Sequence, residues 1–277
     1  GDFRATGWKR KLFDAFTSNP PKAVEYLLME GTMIGREEGR YPDEPAVRDR
    51  MSEILESSKN NIVLSYCSGQ NIDRIVSFYK AARKTGAMFV IDPYTACVLQ
   101  AIKPLNSSIP QIDWRDIRVY IANYSGRRES GDIYINKIRE SEFSGFIPEL
   151  GRRKIKSDEL SQIKGKVLLL MRNTMIPVVR RIRGIKGSTL VYSQWDGYLK
   201  KSNDASKIFE SFVHDYQLDI ECVHTSGHAT EDKLQVLARV LSPKQGIIPI
   251  HTRSPQEFNR LFGDKVLSLK KGKTLTI

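Results

Sequence analysis

Residues 61–92 constrain the fold more than any other part of the chain. Residues 61–66 (NIVLSY) form a short apolar run, the pattern of a buried strand. Residues 72–86 follow with Ile72, Ile75, Val76 and Tyr79 at helical spacing on one face. Residues 87–92 (AMFVID) are strand-like again. Two strands joined by a helix of this length pair in parallel, because a parallel pair needs a long crossover. The Ser-Gly-Gln-Asn turn at the helix start leaves backbone N–H groups open to an anion. It lacks GxGxxG spacing, so the case for dinucleotide binding is weak.

The same alternation extends along the chain. Strand patterns are expected at 2–4, 25–29, 117–122, 166–171, 189–193, 218–224 and 246–251. Helical patterns are expected at 9–16, 42–57 and 204–216, and from a Thr230 cap to Leu241. Ser18-Asn19-Pro20-Pro21 ends the first helix, since two prolines remove donors and force extended backbone. Residues 126–151, rich in glycine and charge, read as loop-dominated. Strands alternating with helices throughout indicate an α/β fold.

Charge points to a class of partner. The chain of 277 residues carries 44 Lys+Arg against 32 Asp+Glu, a net +12. An excess of this size favours polyanions, and nucleic acid ranks before a membrane surface because no basic amphipathic anchor is apparent. Between 163 and 195 lie Lys164, Lys166, Arg172, Arg180, Arg181, Arg183 and Lys186, with no acid among them. No apolar run approaches the roughly 18 residues of a membrane span. Cys67, Cys97 and Cys222 show no CxxC spacing and suggest a reducing, cytoplasmic setting.

Three of the four histidines, His224, His228 and His251, fall at or just beyond the ends of two predicted strands, where open α/β sheets bind ligands. There they can ligate metal or transfer protons, or they can be simple hydrogen-bonded strand-end residues. His214 reads as a surface residue. Asp73 and Asp92 read as helix caps, and Tyr66, Tyr94 and Trp195 as packing residues. Cys67 has no histidine matched to it and does not read as a nucleophile.

Five motifs in order carry a family resemblance: GDFR (1–4), LLMEGT (27–32), NIDR (71–74), HTSGHA (224–229) and PIH (249–251). The chain resembles the β-CASP branch of the metallo-β-lactamase-fold hydrolases, and within it the RNase J type. The match runs nearly from end to end, with weaker anchoring between about 95 and 190. The resemblance implies a partial metallo-β-lactamase αββα sandwich from 1–35 and 205–277. It also implies an inserted β-CASP α/β domain at 36–204.

It further implies a zinc-dependent ribonuclease with two zinc ions and single-stranded RNA gripped between the domains. Asp2 matches the acid that bridges the metals. Glu30 matches the carboxylate that orients a histidine, and His228 matches that histidine, the proton donor to the leaving group. His251 matches a ligand of the second zinc. His224 and Ser226 match residues that hold a substrate phosphate. Arg172, Arg180, Arg181 and Arg183 are expected along the RNA backbone.

Two departures stand out. Family members carry an HxHxDH loop before GDFR, and no HxH occurs in this chain. The expectation is therefore the C-terminal part of a larger enzyme, inactive by itself, completed by the missing N-terminal segment or by a homodimer partner. The alternative is a non-catalytic RNA-binding or scaffold module that has lost the metal site. A more distant third is a metallohydrolase of small phosphoesters. The second departure is His251-Thr252-Arg253, where RNase J-like proteins place Gly-Glu after the histidine.

Overall fold

A computed structural model of the chain describes residues 2–36, 40–105, 108–121, 133–199, 204–269, 272 and 274. In chain order the elements begin with α1 (Arg10–Ser18), β1 (Tyr26–Glu30), α2 (Glu44–Ser57), β2 (Ile62–Tyr66), α3 (Ile72–Thr85), β3 (Met88–Ile91) and α4 (Pro93–Ile102). They continue with β4 (Ile117–Tyr120), α5 (Ile133–Arg139), α6 (Ile147–Arg152), β5 (Lys154–Ile155), α7 (Ser157–Gln162), β6 (Val167–Met171) and α8 (Ile176–Val179). The last are β7 (Thr189–Tyr192), α9 (Asp204–Asp215), β8 (Asp219–Cys222), α10 (Glu231–Leu241), β9 (Gly246–Ile250) and α11 (Pro255–Phe262). The fold is α/β. No helix among the described residues is long and apolar enough to cross a membrane.

The chain divides into two compact units, Gly1–Glu44 with Thr225–Ile277, and Pro45–His224. The expected boundaries after 35 and 204 both move later. At the second, β8 pairs in parallel with β7, and Phe209 and Phe212 of α9 sit in the same core cluster as Leu190 of β7. Backbone pairing and apolar burial thus tie 204–224 to the second unit.

The second unit is a seven-stranded sheet in the order β5-β4-β3-β6-β2-β7-β8, with every pair parallel. Its central strands are buried throughout, VLLLM in β6 and IVLS in β2. Such continuous apolar runs are what helices on both faces require. Each buried Leu or Ile side chain contributes about 1.5–3 kcal/mol. In α3 the side chain of Asn71 caps the first turn by accepting from the Arg74 N–H at 3.2 Å, and Gly86 ends the helix at φ 70°. Asp92 caps α4 by accepting from the Thr95 N–H at 3.0 Å.

Two expectations change here. Residues 126–132 lie outside the described residues, but 133–152 hold α5 and α6, anchored by buried Ile138, Phe146 and Leu150. Pro148 suits the first turn of α6, where no donor is needed. The strand pattern at 117–122 yields a strand over Ile117–Tyr120 only, and Ala122 lies outside the described residues.

The first unit centres on β1 and β9, a parallel pair with Tyr26 opposite Gly246 and Glu30 opposite Ile250. Its Met29 and Ile247 share a core cluster with Ile34, Leu234, Leu237, Ala238 and Phe258. The expected strand at 2–4 does not form. Its backbone has a different partner, because the Phe3 N–H donates to a Glu30 carboxylate oxygen at 3.1 Å rather than to a neighbouring strand. Phe3 stacks on Phe13, and Arg4 is paired with the fully buried Glu44 at 3.1 Å. These contacts pin the GDFR segment.

Candidate functional site

Parallel strands end together, and at the carboxyl ends of β1 and β9 this register brings Glu30, Thr32 and His251 side by side. His228 joins them from the loop before α10, and Asp2 from the pinned segment. One ligating atom of each of Asp2, Glu30, His228 and His251 lies within 4.8 Å of those of the others.

Glu30 organises the group. It is 1% exposed. Its Oε1 accepts from the N–H groups of Phe3 at 3.1 Å and Ala229 at 3.4 Å, and its Oε2 accepts from His228 Nδ1 at 2.8 Å. Burial opposes ionisation of Glu30. The His228 bond, the Phe3 N–H, the charge of His228 and the Thr32 hydroxyl together outweigh it and hold the carboxyl below its ordinary range. The same bond raises His228; burial opposes, the charges of Glu30 and Asp2 add to the rise, and Arg36 subtracts. A carboxylate acceptor fixes Nδ1 as the protonated nitrogen, so Nε2 is the ring nitrogen outside this bond. The backbone N–H of His228 donates to Ser226 Oγ at 3.1 Å, which holds the loop in its turn.

His251 follows β9 at φ 47°, in the left-handed region that side-chain-bearing residues seldom occupy. Thr32 Oγ1 donates to its carbonyl at 2.9 Å. Its Nδ1 meets Asp2 Oδ1 at 2.7 Å. The His228 and His251 rings stand 5.3 Å apart. Strained backbone of this kind persists where surrounding structure fixes it, and it clusters at functional sites.

The donor set suits a borderline cation such as zinc, which takes carboxylate oxygen and imidazole nitrogen at about 2.0–2.2 Å. Glu30 is committed to three hydrogen-bond donors and acts behind the ligands. Of the four, Asp2 and His251 are the most exposed, at 50% and 58%, against 24% for His228.

The other expected site residues are distributed differently. His224 ends the second unit, where Arg74 Nη1 approaches its Nδ1 at 3.4 Å and donates to the Ser193 carbonyl at 3.0 Å. The four arginines do not form one patch. Arg172, at the carboxyl end of β6, is ion-paired with buried Asp92 and lies over the Tyr94 ring at 4.5 Å. Residues 173–179 are helical and carry the chain away from that edge. Arg180 pairs with Asp215 at 3.2 Å, while Arg181 and Arg183 are exposed near the amino end of β7.

Thr32 is a further residue at the site. Its signal was present in the LLMEGT motif, but the partner of a hydroxyl cannot be read from a linear string. Cys67 is buried, with Sγ donating to the Ser68 carbonyl at 3.6 Å.

No family model and no curated protein matches the chain. It is similar to the crystal structure of a protein of unknown function from Enterococcus faecalis V583, at 20% identity and a TM-score of 0.66. The similarity covers 98% of this chain and 55% of that one, so this chain spans about half the length of that relative.

Proposed function

We propose that the chain is part of a zinc-dependent phosphodiester hydrolase acting on RNA, of the RNase J-like β-CASP type. In this reading the first unit belongs to a metallo-β-lactamase αββα sandwich and the second is a β-CASP domain. The observation that carries the reading is the buried Glu30–His228 pair beside Asp2 and His251. These residues come from four separate motifs yet share one cluster.

Zinc, when bound, supplies Lewis acidity and a metal-activated water near neutral pH. Asp2 and His251 are the residues of this chain that hold it. A zinc ion there would take about four donors, of which Asp2 and His251 would supply this chain's share. His228 presents Nε2 to the reacting phosphodiester. Its raised pKa keeps the ring protonated nearer neutral pH, as a general acid to a departing alkoxide requires. Glu30 holds the ring's tautomer and angle. The net charge of +12 favours approach of a polyphosphate substrate.

Elemental analysis of the chain completed by the segment that supplies the remaining zinc donors, paired with cleavage of a single-stranded oligoribonucleotide, tests the reading. Bound zinc that is lost in Asp2→Ala and His251→Ala, together with zinc-dependent cleavage, supports it. RNA binding with no zinc and no cleavage selects the non-catalytic scaffold instead.

A further inference from the structure

The acid-free run of sequence contributes to a surface that its linear order conceals. Residues 58–61, 163–166 and 183–188 lead into β2, β6 and β7, and β6-β2-β7 are consecutive in the sheet. The three loops therefore emerge side by side on the amino edge. Hydrogen bonds join them. Asn60 Nδ2 donates to the carbonyls of Gly184 at 3.4 Å and Lys186 at 3.0 Å, and to Ser188 Oγ at 3.0 Å. Asn61 Nδ2 donates to the Ile163 carbonyl at 3.3 Å. Lys166 Nζ donates to the carbonyls of Ser58 and Asn60.

These loops carry Lys59, Lys164, Lys166, Arg183 and Lys186 and contain no acid. All except Lys166 are exposed. The acids nearest along the chain are Glu56 before the first loop, Glu159 before the second and Asp196 after the third, and Asp219 of β8 pairs opposite Thr189 at one side of the edge. Three neighbouring strands span about 10 Å, close to one Debye length at physiological salt. Like charges so near one another repel, and a surface with no partner intersperses both signs. Among the described residues the loops expose no large apolar side chain, which disfavours insertion into a lipid surface.

We propose that this amino edge is a second RNA-binding surface, gripping the backbone of a single strand and distinct from the carboxyl edge that bears Arg172. Lysines on flexible stems act as point charges, so the grip is independent of base sequence. The identity of the polyanion as RNA rests on the hydrolase reading, whereas the cation array stands without it.

The test is fluorescence anisotropy with a labelled oligouridylate in a metal chelator, across about 50–200 mM salt. Lys59→Ala/Lys164→Ala/Lys186→Ala is expected to bind at least about tenfold more weakly, with a log–log salt slope shallower by about 2, at roughly 0.7 per lost phosphate contact. An oligocytidylate should show the same loss. Lys186→Ala alone, with a slope change of about 0.7, gives the readout if the triple variant does not fold. Unchanged affinity and slope in a folded variant overturn the proposal. So does a wild-type chain that takes anionic vesicles or polyglutamate but not RNA. The chelator separates the two readings, because this surface can fail while zinc-dependent cleavage stands, and the reverse.

Discussion

His228 Nδ1 donates to Glu30 Oε2 at 2.8 Å, across 198 residues of sequence, and the carboxylate that receives it is buried. One bond thus sets the ring's tautomer, raises its pKa and lowers that of its partner. The carboxylate also accepts from the N–H groups of Phe3 and Ala229, so hydrogen bonds compensate its burial.

Removing the ring tests its proton-transfer role. In the protein completed by its remaining zinc donors, His228→Ala should reduce zinc-dependent RNA cleavage by about 10²- to 10⁴-fold, with RNA binding unchanged in the same preparation. Cleavage that survives the substitution would show that the leaving group draws its proton from elsewhere.

The paired shifts give a pH window in the metal-free chain. Glu30 titrates below its ordinary 4.5 and His228 above its ordinary 6.5. The stability from Glu30 is present above 4.5 and is lost as pH falls through its depressed folded value. That from His228 is fully present below 6.5 and is lost as pH rises through its raised folded value. The pair therefore stabilises most at about pH 5–6. Thermal melts of wild type and Glu30→Gln should diverge most in that window, and parallel curves would dismiss the coupling.

In the proposed reading, His251 sets a ligand role against an unfavourable backbone. At φ 47° a glycine is at ease where a Cβ costs about 1 kcal/mol. His251→Gly should therefore be about 1 kcal/mol more stable than His251→Ala, and both should lose zinc. Denaturant titrations of the two variants, read beside zinc content, check this.

Gly31 adjoins Glu30 in a tight spot. A Cβ there would stand 2.9 Å from Ile34 Cδ1 and nearer still to the ring of Phe258. Gly31→Ala is expected to cost about 1–3 kcal/mol from overpacking. Because the strain falls beside the carboxylate, the His228 tautomer should shift with it, which histidine ¹⁵N spectra report.

The arginines separate by role. Arg172→Ala leaves Asp92, 2% exposed, without its ion-pair partner and should destabilise by about 3 kcal/mol. Arg183→Ala, on an exposed side chain, should change stability by less than about 0.5 kcal/mol. Equal effects in chemical denaturation would contradict the assignment of Arg172 to the fold.

The sequence by itself determined the elements whose cause is local. The apolar run of β2, the stripe of α3 and the cap at Asp92 each depend on residues within one turn or one strand, so local pattern reveals them, although α3 is capped by Asn71 and not by the expected Asp73. It also marked Asp2, Glu30, His228 and His251, each within a short motif. What it could not determine depends on partners distant along the chain. Residues 2–4 have a strand-like pattern, yet their N–H goes to Glu30, so no strand forms. Arg172 and Arg183 are neighbours in sequence, yet a helical segment carries them to opposite edges of a parallel sheet. Residues 204–224 join the second unit because β8 hydrogen-bonds to β7. Only tertiary structure decides such matters, because hydrogen bonding, burial and ion pairing act between atoms close in space whatever their separation along the chain.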